Sequence, residues 1–249
     1  MTDISTASIT HRKDEKNYIT NYWQKRSTDF ANLRKAELHS EKQLLWQQEI
    51  NRHLPQNRRL KILDIGCGAG FFGILLGQKH DVTGIDLTPE MIDAARTLAA
   101  AEGSSASFAV MDAEALDFAA NSFDVVISRN VMWNLPHPGT AYREWLRVLK
   151  PGGLLLNYDA EYARGHHSQK LPRQNAHAGI APELLDECHN IYHMLDISTY
   201  NRPEWDEKFL TATGLCSVST DTTVSSRIYA SEDIFYIPVP MFCVKAVKL

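Results

Sequence analysis

The feature of this sequence that most constrains the fold is an alternation of short apolar runs with helix-forming segments between residues 60 and 160. The apolar runs have the length and composition of buried strands, and the segments between them place apolar residues at helical spacing. The predicted strands are residues 60–65, 81–86, 106–111, 123–128 and 154–159, and the predicted helices are residues 71–79, 88–101 and 138–149. Strands that alternate with helices form a parallel sheet covered by helices on both faces. We therefore predict an α/β fold.

The flanking segments extend this core into a single predicted domain over residues 17–249. The divisions are a mobile N-terminus (1–16), N-terminal lid helices (17–55), a ligand-binding core (60–160), an insert that covers the substrate (161–214) and two final strands (215–249). A break between the two lid helices is expected near Ser27. Pro238 and Pro240 predict an edge position or an irregular start for the last strand, because proline cannot donate to a sheet.

Composition excludes several classes of protein. The chain has 249 residues, 44% apolar and 22% charged, with a net charge of -4. No broad basic surface is implied, so we expect no nucleic-acid partner. No apolar run is long enough to cross a membrane, and the N-terminus lacks the apolar core of a signal peptide. The four cysteines form no CxxC pair and indicate free thiols in a reducing cytoplasm.

The stretch Leu63–Gly73 reads LDIGCGAGFFG and predicts a strand, a glycine loop and a helix. Such a loop lets a ligand approach the backbone, and dinucleotides, phosphates and sulfonium nucleosides are all compatible with it. Gly68, Gly70 and Gly73 satisfy GxGxxG, but that pattern alone is weak evidence for a dinucleotide. The first glycine after the strand is Gly66, and counting from it gives GxGxG without the third glycine. No GK[ST] follows, which excludes a P-loop.

Two acidic residues narrow the choice of ligand. Asp64 lies at the end of the first predicted strand, where a carboxylate would repel a pyrophosphate and suit a cationic group. Asp86 ends the second strand, where an acid can accept hydrogen bonds from both hydroxyls of a ribose. Together they favour a ribose-bearing ligand that is cationic near the loop. S-adenosylmethionine has a ribose, an ammonium and a sulfonium, and no phosphate.

Five ordered blocks resemble the class I S-adenosylmethionine-dependent methyltransferases over residues 60–159. They read LDIGCGAGFFG, GIDLTPEMIDAAR, VMDAEAL, FDVVISRNVMWNL and LRVLKPGG. The resemblance implies a Rossmann-like, seven-stranded sheet in the order 3-2-1-4-5-7-6, with strand seven antiparallel. It also implies S-adenosylmethionine as the cofactor and S-adenosylhomocysteine as the product.

The resemblance assigns cofactor contacts residue by residue. Asp86 is the ribose acid, Asp112 bonds the adenine amino group, and the next backbone N–H, of Ala113, reaches the ring. Ser128, Arg129 and Asn130 line the methionine end. The remaining residues that this resemblance places at the cofactor are Asp64, Gly66, Cys67, Gly68, Gly70, Leu87, Met91, Met111 and Trp133.

The ends of the chain show a narrower resemblance, to a bacterial branch of small-molecule methyltransferases with YWxxRS and RNVxWNLPxP motifs. The corresponding stretches are NYWQKRSTDF and RNVMWNLPHP. In that branch a tyrosine and an arginine of the first helix are expected near the methionine carboxylate. This implies that role for Tyr22 and Arg26.

Methyl transfer from a sulfonium needs mainly alignment of the acceptor, the methyl carbon and the sulfur. If the acceptor must lose a proton, the predicted bases are Asp159, His166 and His167, which end or follow the fifth strand. His189 and His193 have a spacing that can hold a metal, but no HExxH motif accompanies them, and we predict no metal.

We expect a small-molecule acceptor and a monomer or homodimer. Three other functions stay open on the sequence alone. The fold could use the sulfonium cofactor for another reaction, or it could bind the cofactor without catalysis. A nicotinamide-dependent dehydrogenase is also possible, although Asp64 and the missing third glycine argue against it.

Overall fold

In the computed structural model, seven strands form one sheet in the order β3-β2-β1-β4-β5-β7-β6. The structure describes residues 3–165, 175–176 and 178–249, without the side chains of residues 3–13, 164 and 165. The strands are β1 (Lys61–Ile65), β2 (Asp81–Asp86), β3 (Ser107–Val110), β4 (Phe123–Arg129), β5 (Leu149–Ala160), β6 (Cys216–Asp221) and β7 (Met241–Lys248). Strand β7 pairs antiparallel with β5 and β6, and the other pairs are parallel. The predicted order and the direction of β7 are confirmed.

Helices cover both faces of this sheet and the edge where its parallel strands end. They are α1 (Asp3–Leu38), α2 (Glu41–Asn51), α3 (Phe71–Gly77), α4 (Pro89–Ala101), α5 (Pro138–Val148), α6 (Tyr162–Gly165), α7 (Pro182–Met194), α8 (Glu204–Ala212) and α9 (Val224–Ile228). Short 3-10 turns occupy Met132–Asn134 and Asp196–Thr199. No helix among the described residues is both long and apolar enough to cross a membrane.

The predicted helix break near Ser27 is wrong. Helix α1 continues through Ser27 to Leu38, and the Ser27 hydroxyl donates to the Gln24 carbonyl of the preceding turn at 2.8 Å, so this polar side chain is accommodated within the helix. The chain breaks instead at His39 and Ser40, where the Ser40 side chain accepts from the Lys42 backbone N–H and caps α2.

The final strand begins after Pro238 and Pro240, whereas the prediction included both prolines in its first part. Strand β7 starts at Met241, directly after Pro240, so both prolines lie outside the sheet. Inside it, each would have removed one of the hydrogen bonds that pair β7 with its neighbours.

Two apolar layers sandwich the sheet. One layer is centred on Trp46 and joins α2, α3 and α4 to the sheet, and the other is centred on Trp145 of α5 and includes residues of α7 and α8. Both tryptophans are fully buried. Because the layers hold the sheet rigidly from both sides, the loops at its carboxyl edge have fixed positions.

Candidate cofactor and acceptor site

A large cavity lies at the carboxyl ends of β1, β2 and β4, with α1 as its outer wall. It encloses about 1570 Å³, including the solvent at its mouth. Open parallel sheets bind ligands in the crevice outside these strand ends. The loop after β1, the ends of β2 and β4 and one side of α1 all contribute to its lining.

The glycine loop after β1 approaches its neighbours too closely for side chains. Gly66 and Gly68 have φ angles of 60° and 51°, in the left-handed region that favours glycine. A Cβ at Gly66 would collide with Val131, and one at Gly68 would lie 2.8 Å from the Phe30 ring of α1. The backbone of the loop therefore lines the cavity directly.

Asp64 is a buried carboxylate at the base of this loop. Its side chain accepts a hydrogen bond from the Gly73 backbone N–H at 3.0 Å, which ties the end of β1 to the start of α3. The residue is 2% exposed, and burial raises the pKa of its carboxyl to about 7. A cation placed beside this group would favour its ionised form.

Asp86 at the end of β2 orients the loop from the other side. One carboxylate oxygen accepts from the Gly68 backbone N–H at 3.0 Å, and the other accepts from the Thr88 N–H at 2.9 Å. Burial raises the pKa of this carboxyl as well. Each oxygen can accept a second hydrogen bond, so the group is positioned to receive two hydroxyls from the cavity.

Asp112 follows β3 and forms an ion pair with a lysine of α1. Lys16 Nζ lies 2.6 Å from a carboxylate oxygen of Asp112 and also pairs with Glu114. The other oxygen of Asp112 accepts from the Glu114 backbone N–H at 2.8 Å. Sequence reasoning placed Asp112 at an adenine ring but missed its pairing with Lys16, which also lines the cavity.

Arg129 at the end of β4 is held by Glu37 of α1. Two guanidinium nitrogens donate to the two carboxylate oxygens, each at 3.0 Å. The guanidinium also lies over the rings of Trp46, Phe71 and Phe72, at 4.5–5.0 Å from their centroids. Arg129 lines the cavity, but its charge is paired with Glu37 and aromatic rings pack against its guanidinium.

Glu37 is shared between Arg129 and a second arginine, Arg34, whose Nη1 lies 2.6 Å from it. Burial opposes ionisation of Glu37, yet the two guanidinium groups outweigh it and keep its pKa below the ordinary value. Arg34 lines the cavity and is 8% exposed. Burial lowers the pKa of its guanidinium.

Tyr22 and Arg26 of α1 line the same cavity. Arg26 is 6% exposed, and its Nε and Nη1 have no hydrogen-bond partner among the described residues. A buried cation without an anionic partner is costly, so Arg26 has free capacity to bind an anion that enters the cavity. Burial raises the pKa of the Tyr22 hydroxyl, which therefore stays a neutral hydrogen-bonding group.

Aromatic residues enclose the cavity beyond β4. Asn130 has a φ of 59°, an unusual conformation for a residue other than glycine. Its side chain accepts from the Tyr162 hydroxyl at 2.8 Å, and its carbonyl accepts from the Trp133 indole N–H at 2.9 Å. The Trp133 ring also contacts Tyr192 of α7, with centroids 4.9 Å apart. This part of the cavity suits an apolar or aromatic group.

The structure separates the predicted site residues into two groups. Those that line the cavity are Tyr22, Arg26, Asp64, Gly66, Cys67, Gly68, Asp86, Leu87, Met91, Met111, Asp112, Ala113, Arg129, Asn130 and Trp133. Two others are turned away from it. A Cβ at Gly70 would meet Phe108 and Ala95, and the buried Ser128 hydroxyl donates to Asn157.

Of the three predicted bases, the structure describes only Asp159, which does not line the cavity. Asp159 is fully buried outside the cavity lining, and its carboxylate pairs with Arg202 at 2.9 Å and accepts from the Trp133 backbone N–H. This geometry gives a base role for Asp159 no support. His166 and His167 lie outside the described residues. Among the residues that the structure describes, no group of three or more potential ligands is placed to hold a metal ion.

Several lining residues were not predicted as cofactor or catalytic residues from the sequence, and half of the twelve given next belong to α1. They are Lys16, Ile19, Thr20, Phe30, Leu33 and Arg34 on α1, Phe71 and Phe72 on α3, and Tyr162, Ile180, Cys188 and Ile237 elsewhere. On α1, Arg26, Phe30 and Arg34 recur every four residues and share one face. That spacing was the available signal, but it does not show which surface the face covers.

Comparison with known proteins agrees with this geometry. Residues 63–157 match a family described as "Methyltransferase domain". The chain is 40% identical over 128 residues to 2-methyl-6-phytyl-1,4-hydroquinone methyltransferase of Synechocystis, covering 51% of this chain and 39% of that protein. It is 29% identical over 151 residues to phosphoethanolamine N-methyltransferase 1 of Triticum aestivum, covering 60% and 28%. The aligned part therefore spans less than half the length of either relative.

Solved structures show the same fold. Phosphoethanolamine N-methyltransferase 2 of Haemonchus contortus, solved in complex with S-adenosyl-L-methionine, matches with a TM-score of 0.56 at 19% identity. The match covers 82% of this chain and 52% of that one. At this identity the likeness concerns the fold. Together with the match of residues 63–157 to a methyltransferase domain family and the observed strand order, it shows that this chain is similar to methyltransferases and has the Rossmann-like fold of the class I enzymes.

Proposed function

We propose that this protein transfers the methyl group of S-adenosylmethionine to a small-molecule acceptor and releases S-adenosylhomocysteine. The observation that carries the proposal is the convergence on one cavity of Asp64, Asp86 and Arg26, whose Nε and Nη1 have no hydrogen-bond partner in the part of the chain that the structure describes. These groups complement an ammonium, a ribose and a carboxylate respectively. A pyrophosphate would meet the buried carboxylate of Asp64 instead, which disfavours a dinucleotide.

The residues present fit the cofactor at each charged or polar position. Asp64 would pair with the ammonium, and this contact would offset the cost of ionising a buried carboxyl. Asp86, already fixed by two backbone N–H groups, would accept from the ribose hydroxyls. Arg26 would bind the methionine carboxylate, with the Tyr22 hydroxyl beside it. Asp112 would accept from the adenine amino group if Lys16 yields one of its contacts.

The protein contributes mainly orientation and exclusion of water. The cofactor supplies an electrophilic methyl group on a positively charged sulfur. The residues of α1 and α7 that line the cavity hold the acceptor against that methyl group and keep solvent out. Holding two reactants in line can contribute roughly 7–11 kcal/mol to lowering a barrier. An acceptor that is already nucleophilic would need no base, and for an acceptor that must lose a proton His166 and His167 stay the proposed bases.

A small acceptor agrees with the shape of the site and with the relatives. The cavity is closed over by α1 and lined by Trp133, Tyr162 and Tyr192 on the acceptor side. The names of the two relatives indicate a prenylated hydroquinone and phosphoethanolamine as acceptors, and both are small molecules. The chain's net charge of -4 also argues against a nucleic-acid acceptor.

The test is calorimetric titration of the wild type and Asp86→Ala with S-adenosylmethionine and S-adenosylhomocysteine. We expect the wild type to bind both and the variant to bind at least tenfold more weakly, because the ribose loses its acceptor. Ser122→Ala, in the exposed turn before β4, is the matched control and should bind like the wild type. NADH should not bind to any of the three.

The results separate the possible functions. A wild type that binds NADH and neither sulfur nucleoside would overturn the proposal. Binding of S-adenosylmethionine without turnover on any acceptor in a screen of amines, phenols, thiols and carboxylates would favour a cofactor-binding role without catalysis.

A further inference from the structure

Arg34, Glu37 and Arg129 form a buried cluster in the cavity wall that carries more positive than negative charge. Two guanidinium groups share the single carboxylate of Glu37. All three side chains are less than one-tenth exposed. One positive charge of the cluster is therefore uncompensated within it, and such a charge is costly in a protein interior unless an anion joins it.

Within this cluster, Arg34 is the residue that can still donate hydrogen bonds to an anion. Arg129 uses two nitrogens on Glu37, and aromatic rings cover its guanidinium. Arg34 contacts Glu37 through Nη1, whereas its buried Nε has no hydrogen-bond partner among the residues that the structure describes. Arg34 lies over the Phe30 ring at 4.8 Å and lines the cavity. The incoming anion would meet Arg34.

The other charged groups that line the cavity have other partners. Asp64 interacts electrostatically with Arg129, and the proposed function pairs it with the cofactor's ammonium. Asp86 accepts from two backbone N–H groups and would accept from the ribose hydroxyls. Asp112 pairs with Lys16, and the methionine carboxylate would pair with Arg26. None of these pairs uses the buried Nε of Arg34, which belongs to the cavity wall.

We infer that the acceptor carries an anionic group, a carboxylate or a phosphate, which binds Arg34 while its apolar part lies among the aromatic side chains of the cavity. This inference rests on the proposed function. An anion at Arg34 completes the charge balance of the Arg34–Glu37–Arg129 cluster. Tyr162 and Trp133 both line the cavity with ring centroids 5.7 Å apart, and the apolar part would lie against them.

The experiment titrates the protein saturated with S-adenosylhomocysteine with benzoate, acetate and inorganic phosphate, and with benzamide and acetamide as neutral counterparts. The variants are Arg34→Met, which leaves Glu37 paired with Arg129, and Arg59→Met. Arg59 pairs with Asp81 on the surface, so its variant removes the same charge away from the cavity. Binding is followed by ligand-observed NMR, and affinity for S-adenosylhomocysteine is measured separately for each protein.

We expect the wild type and Arg59→Met to bind at least one anion more tightly than the neutral amides. In Arg34→Met, the ratio of the affinity for that anion to the affinity for its neutral amide should fall at least tenfold. The affinity of this variant for S-adenosylhomocysteine should stay within about threefold of the wild-type value. Preference for benzoate and acetate would assign a carboxylate, and preference for inorganic phosphate would assign a phosphate.

Three results would overturn the inference. The wild type could show no preference for any anion, or Arg34→Met could keep the preference. Alternatively, Arg34→Met could lose S-adenosylhomocysteine, which would assign Arg34 to the cofactor carboxylate. Failure of the proposed function is visible separately, as a wild type that does not bind S-adenosylhomocysteine at all.

Discussion

At the scale of single residues, the buried carboxyl of Asp64 lowers the stability of the ligand-free protein, as expected for a group that is placed to bind a cation. Its carboxyl is 2% exposed, and burial raises its pKa to about 7 from an ordinary value near 3.8. The Gly73 N–H compensates for only part of the lost solvation. An uncharged side chain of the same shape would be cheaper to bury, so the ionised group is best explained by the ligand.

We predict that Asp64→Asn stabilises the ligand-free protein at pH 8. A carboxyl whose pKa is raised by folding destabilises the fold when ionised, and this penalty grows as the pH rises from about 4 to 7. Each pKa unit corresponds to about 1.4 kcal/mol, so the gain is up to about 4 kcal/mol at pH 8 and fades towards pH 4. Urea unfolding at both pH values measures it. A variant less stable than the wild type at pH 8 would contradict the prediction.

At the scale of elements, α1 acts as the wall that closes the site. Its Lys16 contacts Asp112 after β3, its Phe30 covers Gly68, and its Glu37 holds Arg129 of β4. A single helix thus contacts the carboxyl ends of several strands and forms the outer wall of the cavity along its length.

We predict that Gly68→Ala destabilises the protein more than Gly103→Ala. Both glycines have positive φ, but a Cβ at Gly103 meets nothing within 4 Å, whereas one at Gly68 would lie 2.8 Å from Phe30. Gly103→Ala should cost about 1 kcal/mol, from the backbone alone. Gly68→Ala should cost a further ~1–3 kcal/mol from overpacking. Urea unfolding of the two variants gives the comparison.

A double-mutant cycle isolates the contact between α1 and the glycine loop. Gly68→Ala combined with Phe30→Ala should recover at least ~0.5 kcal/mol relative to the sum of the two single changes. Additive effects would show that Phe30 does not press on the loop in solution.

At the scale of the whole molecule, a buried network joins the insert to the sheet. Arg202 pairs with Asp159 at the end of β5 and with Asp206 of α8, and the Tyr142 hydroxyl donates to Asp206 at 2.6 Å. Asp159 in turn accepts from the Trp133 backbone N–H. The network therefore fixes a wall of the cavity from behind, and Asp159 acts on the site by positioning.

We predict that Arg202→Met lowers the free energy of unfolding by about 3–5 kcal/mol, because Asp159 and Asp206 would be left buried without their cation. Adding Asp206→Asn should restore part of the loss. Arg59→Met, which breaks an exposed pair with Asp81, should cost less than about 1 kcal/mol. Thermal and urea unfolding at pH 7 measure all three. Equal effects of Arg202→Met and Arg59→Met would refute the buried network.

Much of the fold and half of the site follow from local sequence. Strand and helix alternation, the glycine loop and the acids at the ends of β1 and β2 are encoded by neighbouring residues, because in a parallel sheet the carboxyl ends of strands meet at one edge. Asp64, Asp86, Gly66 and Gly68, which the sequence singled out, all line the cavity, whereas Gly70 is turned away from it. Tyr22 and Arg26 also line it, as the resemblance at the N-terminus implied.

What the sequence did not reveal is the ion-pair partners that are distant along the chain. The sequence placed Asp159 beside the substrate, since it ends a strand, but it contained no sign that Arg202, 43 residues later, would claim the carboxylate. Arg129 lines the cavity, but nothing in the sequence indicated that Glu37, 92 residues earlier, would bind it. A buried charged side chain pairs with an opposite charge that is buried beside it. Which residues are buried together depends on the packing of distant parts of the chain.

By itself, the sequence determined the α/β architecture, the strand order through its resemblance and the chemistry of the glycine loop. Only the tertiary structure decided that α1 would lie across the strand ends and bring Lys16 and Arg34 into the cavity. The physical reason is that periodicity specifies which side of a helix is apolar or charged, whereas the surface that this side meets depends on the packing of the whole chain.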